Sequence, residues 1–212
     1  MAAVEGAGGK PLVRTQADLR SHFGQVNALA QKKVIHRLDR FCRDFIALSP
    51  FLVIASSDGD GNVDATPRGD APGFVGIVDD ATLVIPDRRG NNRIDTLSNV
   101  LASPGIGLIF FVPGINETLR VNGSAEITQD AALLTPLTAH GVTPTMAIMV
   151  HVREAYFHCG KALMRSRLWD AETQVERSGF PSLGRIIAEQ TGAVEVEAAE
   201  QSVEEGYRTR LY

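Results

Sequence analysis

At 212 residues and 22.8 kDa the chain can build one substantial domain with a real core, and it is short for two independent ones. A formal net charge of −4 argues against a nucleic-acid-binding surface spread over the whole protein and leaves room only for local cationic patches. Cys42 and Cys159 form no CxxC pattern, so neither a disulfide framework nor a structural zinc site is expected, and both are read as inert buried thiols.

With 20 glycines, 10 prolines and 44% apolar residues, the composition fits a turn-rich mixed fold. Residues 1–10 lack a charged-then-apolar signal, and no apolar run reaches membrane-spanning length, so a cytoplasmic protein is expected. Residues 1–15 read as a flexible tail. Residues 16–212 read as a single domain that opens with a helical extension.

The spacing predicts helices over residues 18–30 and 32–48. In the second, Ile35, Leu38, Phe41, Cys42, Phe45 and Ile46 recur at three- and four-residue intervals, and Ser49-Pro50 stops it. From Phe51 the pattern changes to strands, residues 51–56 being β-rich and 63–68 alternating. Residues 51–56 and 63–68 flank the turn Asp58-Gly59-Asp60-Gly61-Asn62 and predict a hairpin. On the returning strand Asp64, Thr66 and Arg68 share one face, and Pro67 marks an edge or irregular position. The 58–62 run lacks the spacing and closing glutamate of a calcium loop.

Further strands are expected at 73–78 and 82–86. The second of these leads into Pro86-Asp87-Arg88-Arg89-Gly90-Asn91-Asn92-Arg93, a cationic turn before a helix with the apolar stripe Ile94, Leu97, Val100, Leu101 and a cap at Asn91 or Asn92. Arginines at a helix entrance oppose the helix dipole unless an anion sits among them. The bland alternative is a solvated turn, with Asp87 and Asp95 offsetting part of the charge.

Residues 106–112 are nearly continuously apolar, as for a strand buried on both faces. Residues 117–127 alternate, placing Thr118, Arg120 and Asn122 on a polar face that is either solvated or a ligand groove. A short helix at 130–139 and a long strand from 146 to about 157 follow. Lys161, Arg165 and Trp169 fall at four-residue steps, which places them on one face of a helix; cation–π packing on the surface accounts for them as well as an anionic aromatic ligand does. Residues 182–190 predict a last helix, and the acidic stretch after it reads as a segment ordered by a partner surface.

His151 and His158 stand an odd number of residues apart on one strand and so are expected on opposite faces, against a shared metal site. No G-x-S-x-G elbow, Walker loop or dinucleotide fingerprint is present, which removes support from hydrolase, P-loop and Rossmann readings.

Taken in order, Ser49-Pro50-Phe51, Ala65-Thr66-Pro67-Arg68-Gly69-Asp70-Ala71-Pro72-Gly73-Phe74, Ile85-Pro86-Asp87-Arg88-Arg89-Gly90-Asn91-Asn92-Arg93, Glu117-Thr118-Leu119-Arg120-Val121-Asn122-Gly123 and His158-Cys159-Gly160-Lys161-Ala162 resemble the pyridoxamine 5′-phosphate oxidase-like flavoproteins, in particular a bacterial subgroup of FMN-dependent enzymes. The resemblance covers nearly the whole chain after about residue 15. It implies an α+β fold, a mainly antiparallel, Greek-key-like split β-barrel with flanking helices. It also implies FMN as cofactor and a homodimer with two equivalent flavin sites at its interface.

Arg68 matches the family's strand-end flavin-contacting arginine, Ile85 and Pro86 the strand that borders the cofactor, and Asn92 with Arg93 the pair on the phosphate. Arg88 and Arg89 sit in a local insertion of the same turn, and Thr118 stands where true oxidases carry a flavin-contacting glutamine. Arg120 shares the polar face of Thr118, and Lys161, Arg165 and Trp169 are candidates for the flavin of the other protomer. Two departures separate the chain from true oxidases: Gly73 replaces their lysine, and their arginine-histidine substrate signature is absent.

The activity so implied is an FMN-dependent oxidoreductase that acts on a small molecule, with a nicotinamide reductant. The alternatives are a non-catalytic flavin-binding or redox-sensing module and the same fold holding a deazaflavin or haem-like ligand. No metal, nucleic-acid or membrane partner is expected.

Overall fold

The computed structural model of the protein describes residues 12–212. Most of the expected tail, residues 1–11, lies outside the described residues. The described residues divide into one unit that ends at Lys33 and another that runs from Val34 to Tyr212.

In the first unit the expected single helix is two, α1 (Gln16–His22) and α2 (Ala28–Lys32). Phe23 takes extended backbone at the end of α1, and Asn27 starts α2 by accepting a hydrogen bond from the Leu29 N–H.

The second unit opens with a correction. Helix α3 spans only Arg40–Leu48, because the Asp39 side chain caps it by accepting from the Cys42 N–H at 2.9 Å. Upstream, Ile35 bridges to Ala155 in sheet fashion, so its apolar side chain belongs to a strand edge and not to the helical stripe. Ser49 ends α3 as expected.

Seven strands follow: β1 (Phe51–Ser57), β2 (Val63–Gly69), β3 (Gly76–Ile77), β4 (Thr82–Pro86), β5 (Gly105–Phe111), β6 (Thr118–Thr128) and β7 (Ala147–His158). They form one antiparallel sheet in the order β2-β1-β5-β6-β7-β4-β3. The hairpin of β1 and β2 holds, and Pro67 does lie on an edge strand, where its missing N–H breaks no ladder.

Helix α4 (Asp95–Ala102) follows β4, α5 (Ala131–Leu134) and a turn of 3-10 helix separate β6 from β7, and α6 (Lys161–Ser166), α7 (Leu183–Thr191) and α8 (Val196–Thr209) complete the chain. The fold is thus α+β, of the split-barrel type, with one seven-stranded antiparallel sheet and flanking helices.

The alternating apolar residues point to one side. Leu52 and Ile54, Leu83 and Ile85, Leu108 and Phe110, Leu119 and Val121, and Val150 are all completely buried, and Cys42, Phe45 and Ile46 of α3 and Leu97 and Val100 of α4 pack on them. Each such side chain contributes about 1.5–3 kcal/mol on leaving water. Phe45 meets Phe157 edge to face at 5.4 Å.

The strand buried on both faces is β4 and not β5: Val84 packs with Leu134, Leu137 and Ala147 under α5. The outward residues Gly107, Ile109 and Phe111 of β5 are half-exposed.

Two further expectations change. Opposite Asn122 and Gly123 the register slips, leaving Arg153 as a bulge in β7, so His158 pairs with Thr118 and His151 with Ser124. The two histidines therefore share a face. Six residues of strand still separate them by about 20 Å, and no group of metal-ligating side chains is found among the described residues.

The acidic stretch near the end is the helix α8, packed on α7 so closely that a Cβ on Gly184 would stand 2.5 Å from the backbone of Glu200. Cys42 is buried as expected, and burial, followed by the adjacent Asp39, pushes its thiol up to about 12. Cys159 is exposed, contrary to expectation, because it lies past β7 at the start of α6. No helix among the described residues is long and apolar enough to cross a membrane.

Candidate functional site

The sheet brings the ends of β2 and β4 together from opposite sides of its strand order. Arg68, at the end of β2, donates from Nη1 to Thr66 Oγ1 at 2.8 Å and to the Pro67 carbonyl at 3.0 Å, and its Nη2 lies 3.9 Å from Asp87 just past β4. Two residues beyond Arg68 and one beyond Asp87, Arg88 Nε donates to Asp70 Oδ2 at 2.8 Å. Two ion pairs, Arg68 with Asp87 and Asp70 with Arg88, therefore cross-link the β2 and β4 ends, which share no backbone ladder.

These groups are partly removed from water. The Asp70 side chain is 2% exposed, Arg88 17% and Arg68 21%. Burial acts to raise the Asp70 carboxyl pKa. The Ala71 N–H, the Tyr212 hydroxyl and the Arg88 guanidinium together outweigh it and hold the group below its ordinary value of 3.8. Asp87 goes the other way: burial raises it, and the charge of Arg68 opposes the rise only in part.

A depressed carboxyl stabilises the fold above its unfolded pKa and loses that contribution as pH falls through the lower folded value. Asp70→Asn is accordingly expected to lower the urea midpoint near neutrality, with the gap to the wild type closing below about pH 4. A gap that stays constant down to pH 2 would contradict this role.

The other predicted residues fall into separate groups. Ile85 and Pro86 are buried in β4, their backbone facing Ile148 and Ala147 of β7. Arg89 and Asn92 are exposed on the turn. Arg93 is exposed too and turns to Asp95, Nε to Oδ2 at 2.8 Å, so part of its charge is offset as the bland alternative requires.

The expected asparagine cap is corrected. Helix α4 starts after Ile94 in left-handed backbone with no side-chain cap, and Asn91 Oδ1 accepts instead from the Arg93 N–H. Asn92 is left-handed as well, at φ 62°, a conformation asparagine tolerates better than most residues.

On the outward face of the sheet, Thr118 is buried opposite His158, and Arg120 donates to the Tyr156 hydroxyl at 3.0 Å with its guanidinium 5.7 Å from that ring. Lys161 and Arg165 are exposed on α6. Trp169 does not continue their helical face, because Arg167 ends α6 in left-handed backbone. The indole N–H instead donates to the Ile115 carbonyl at 2.9 Å, and the ring joins Phe51, Val53, Phe111, Pro113 and Leu168 around an apolar hollow of about 310 Å3.

One departure from the true oxidases has a structural reason. Gly73 has φ 80°, donates its N–H to the Ser49 carbonyl, and a Cβ there would stand 3.2 Å from the Ala47 carbonyl oxygen. A lysine at this position would be strained.

Asp70, Tyr156 and Tyr212 were not among the predicted site residues. For Asp70 a signal existed: the order arginine-glycine-aspartate after β2 and aspartate-arginine after β4 sets opposite charges facing each other.

The donor set fits an anion. Arg88 makes its hydrogen bond to Asp70 through Nε, the Nη2 of Arg68 is beyond hydrogen-bond distance of Asp87, and Arg89 has no ion pair among the described residues. Guanidinium edges of this kind bind phosphate by paired N–H donors.

No curated protein matches the chain. Among solved structures, HupZ of Group A Streptococcus is 18% identical, with 56% of this chain and 91% of that one covered at a TM-score of 0.46. An FMN-binding protein from Syntrophomonas wolfei is 12% identical, covering 55% and 83% at 0.45. The FAD binding protein from Mycobacterium smegmatis is 14% identical, covering 58% and 97% at 0.42. Residues 38–159, more than half of the chain and the whole span from α3 to the end of β7, match the pyridoxamine 5′-phosphate oxidase family, and the protein belongs to that family.

Proposed function

We propose that the protein is a cytoplasmic FMN-dependent oxidoreductase that works as a homodimer on a small molecule other than pyridoxamine 5′-phosphate. The observation that carries this reading is the convergence of Arg68 and Arg88 at the ends of β2 and β4, within the segment that matches the family.

A bound flavin supplies the redox chemistry, accepting and passing on hydride or electron pairs. The chain's residues bind and orient it. Arg68, Arg88, Arg89 and Arg93 hold the phosphate, Ile85 and Pro86 offer a rigid, dry border for the ring, and Thr118 and Arg120 contribute polar contacts on the outward face. The apolar hollow at Phe51, Phe111 and Trp169 supports a second copy on that face, with Lys161 and Arg165 nearby in sequence for its flavin. No side chain is assigned proton transfer. Gly73, lacking the oxidase lysine, is the reason for a different substrate.

Rapid mixing of the FMN-loaded protein with NADH or NADPH under anaerobic conditions tests the enzymatic part. Saturable bleaching of the flavin, followed by fast reoxidation by an added acceptor, is the expected result. Tight FMN binding without reduction by any nicotinamide would favour the non-catalytic flavin module instead.

A further inference from the structure

Asp70 and Arg88 are joined by a third residue from far along the chain. Tyr212, beyond α8, donates its hydroxyl to Asp70 Oδ1 at 3.0 Å, while Asp70 Oδ2 holds Arg88 Nε at 2.8 Å. The ring of Tyr212 lies 4.3 Å from that of His140, tilted by 41°. Residues 142 positions apart in sequence thus meet on one almost fully buried carboxylate.

We propose that Tyr212 is a positioning residue for phosphate binding, acting through Asp70 on Arg88; this rests on the flavin reading given above. A guanidinium has five N–H donors, and Asp70 takes the Nε one. That contact fixes the plane of Arg88 and leaves the Nη edge directed away from the carboxylate, the edge that pairs with two phosphate oxygens.

The charge balance depends on Tyr212 as well. Asp70 cancels part of the charge on Arg88. The Tyr212 hydroxyl and the Ala71 N–H, at 3.0 and 2.7 Å, draw negative charge toward Oδ1 and away from the arginine. Removing the hydroxyl leaves Asp70 short of a donor in a buried place, so the carboxylate recruits Arg88 more fully and the arginine serves phosphate less well. The groups facing this carboxylate are Arg88, the Ala71 N–H and Tyr212, with His140 against the Tyr212 ring.

The test is the affinity of full-length wild type, Tyr212→Phe, Arg88→Ala and the double variant for FMN and for riboflavin, which lacks the phosphate, by quenching of flavin fluorescence. Tyr212→Phe keeps the ring beside His140 and is expected to weaken FMN about fivefold to tenfold, to leave riboflavin unchanged, and to add nothing in the Arg88→Ala background. An unchanged FMN affinity in Tyr212→Phe, or an equal loss for FMN and riboflavin, would overturn the positioning role. Wild-type protein that binds neither flavin would overturn the flavin reading itself and this inference with it.

Discussion

Gly123→Ala is expected to destabilise the protein by more than about 3 kcal/mol, enough to leave a large part of it unfolded under mild conditions. A Cβ at this position would lie 2.0 Å from the His151 carbonyl oxygen and 3.0 Å from its carbon, and both are backbone atoms of the neighbouring strand. Nothing there can rotate away. Gly123 stands where the register slips around Arg153, and β6 and β7 are interior strands of the sheet, so relief would require opening their ladder.

Gly107→Ala is the matched control. Its Cβ would stand 3.2 Å from Asn122 Oδ1, the end of a side chain that can shift, and its cost is expected to stay within about 1 kcal/mol. Urea unfolding of both variants decides the point. Similar midpoints would show that the bulge yields more readily than the packing allows.

Arg68→Gln is expected to weaken FMN binding about 10- to 100-fold, the loss that follows removal of a charged hydrogen-bond donor. The fold should survive, because Arg68 is not deeply buried and its approach to Asp87, at 3.9 Å, is loose. Circular dichroism and thermal unfolding, compared with FMN titration, separate the two effects. Arg93→Glu makes a companion: its side chain is 74% exposed, so reversing its charge is expected to abolish flavin retention while hardly affecting stability. Wild-type affinity in Arg68→Gln would place the phosphate away from the β2 end.

Much of this architecture is written in local pattern. Strands β1 and β4 are legible as short β-rich apolar runs and β2 by its alternation, each bounded by strong turn residues, Asp58 to Asn62 for the first two and Pro86 onward for β4. Helix α3 looked longer than it is because Ile35 keeps helical spacing while its backbone pairs with Ala155; only the Asp39 cap marks the true start. Helix α8 was hidden because its buried contact is made by the small Ala199 and not by a stripe of large residues.

The site was legible in part. Arg68, Arg88 and the turn after β4 could be located from strand ends and charge. The pairing of Asp70 with Arg88 left a trace only in the charge order of the two segments, while the bulge at Arg153 and the return of Tyr212 to Asp70 are products of tertiary contact with no local signature. Trp169 shows the converse: four-residue spacing from Lys161 and Arg165 suggested one face, but the left-handed Arg167 ends the helix first.

The most direct measurement is the visible absorption spectrum of the purified recombinant protein, joined to mass spectrometry of whatever is released on denaturation. Flavin absorbance and release of FMN, close to one per chain, are expected. A colourless protein that takes up no added FMN, or one that releases a deazaflavin or haem-like ligand, would contradict the FMN reading.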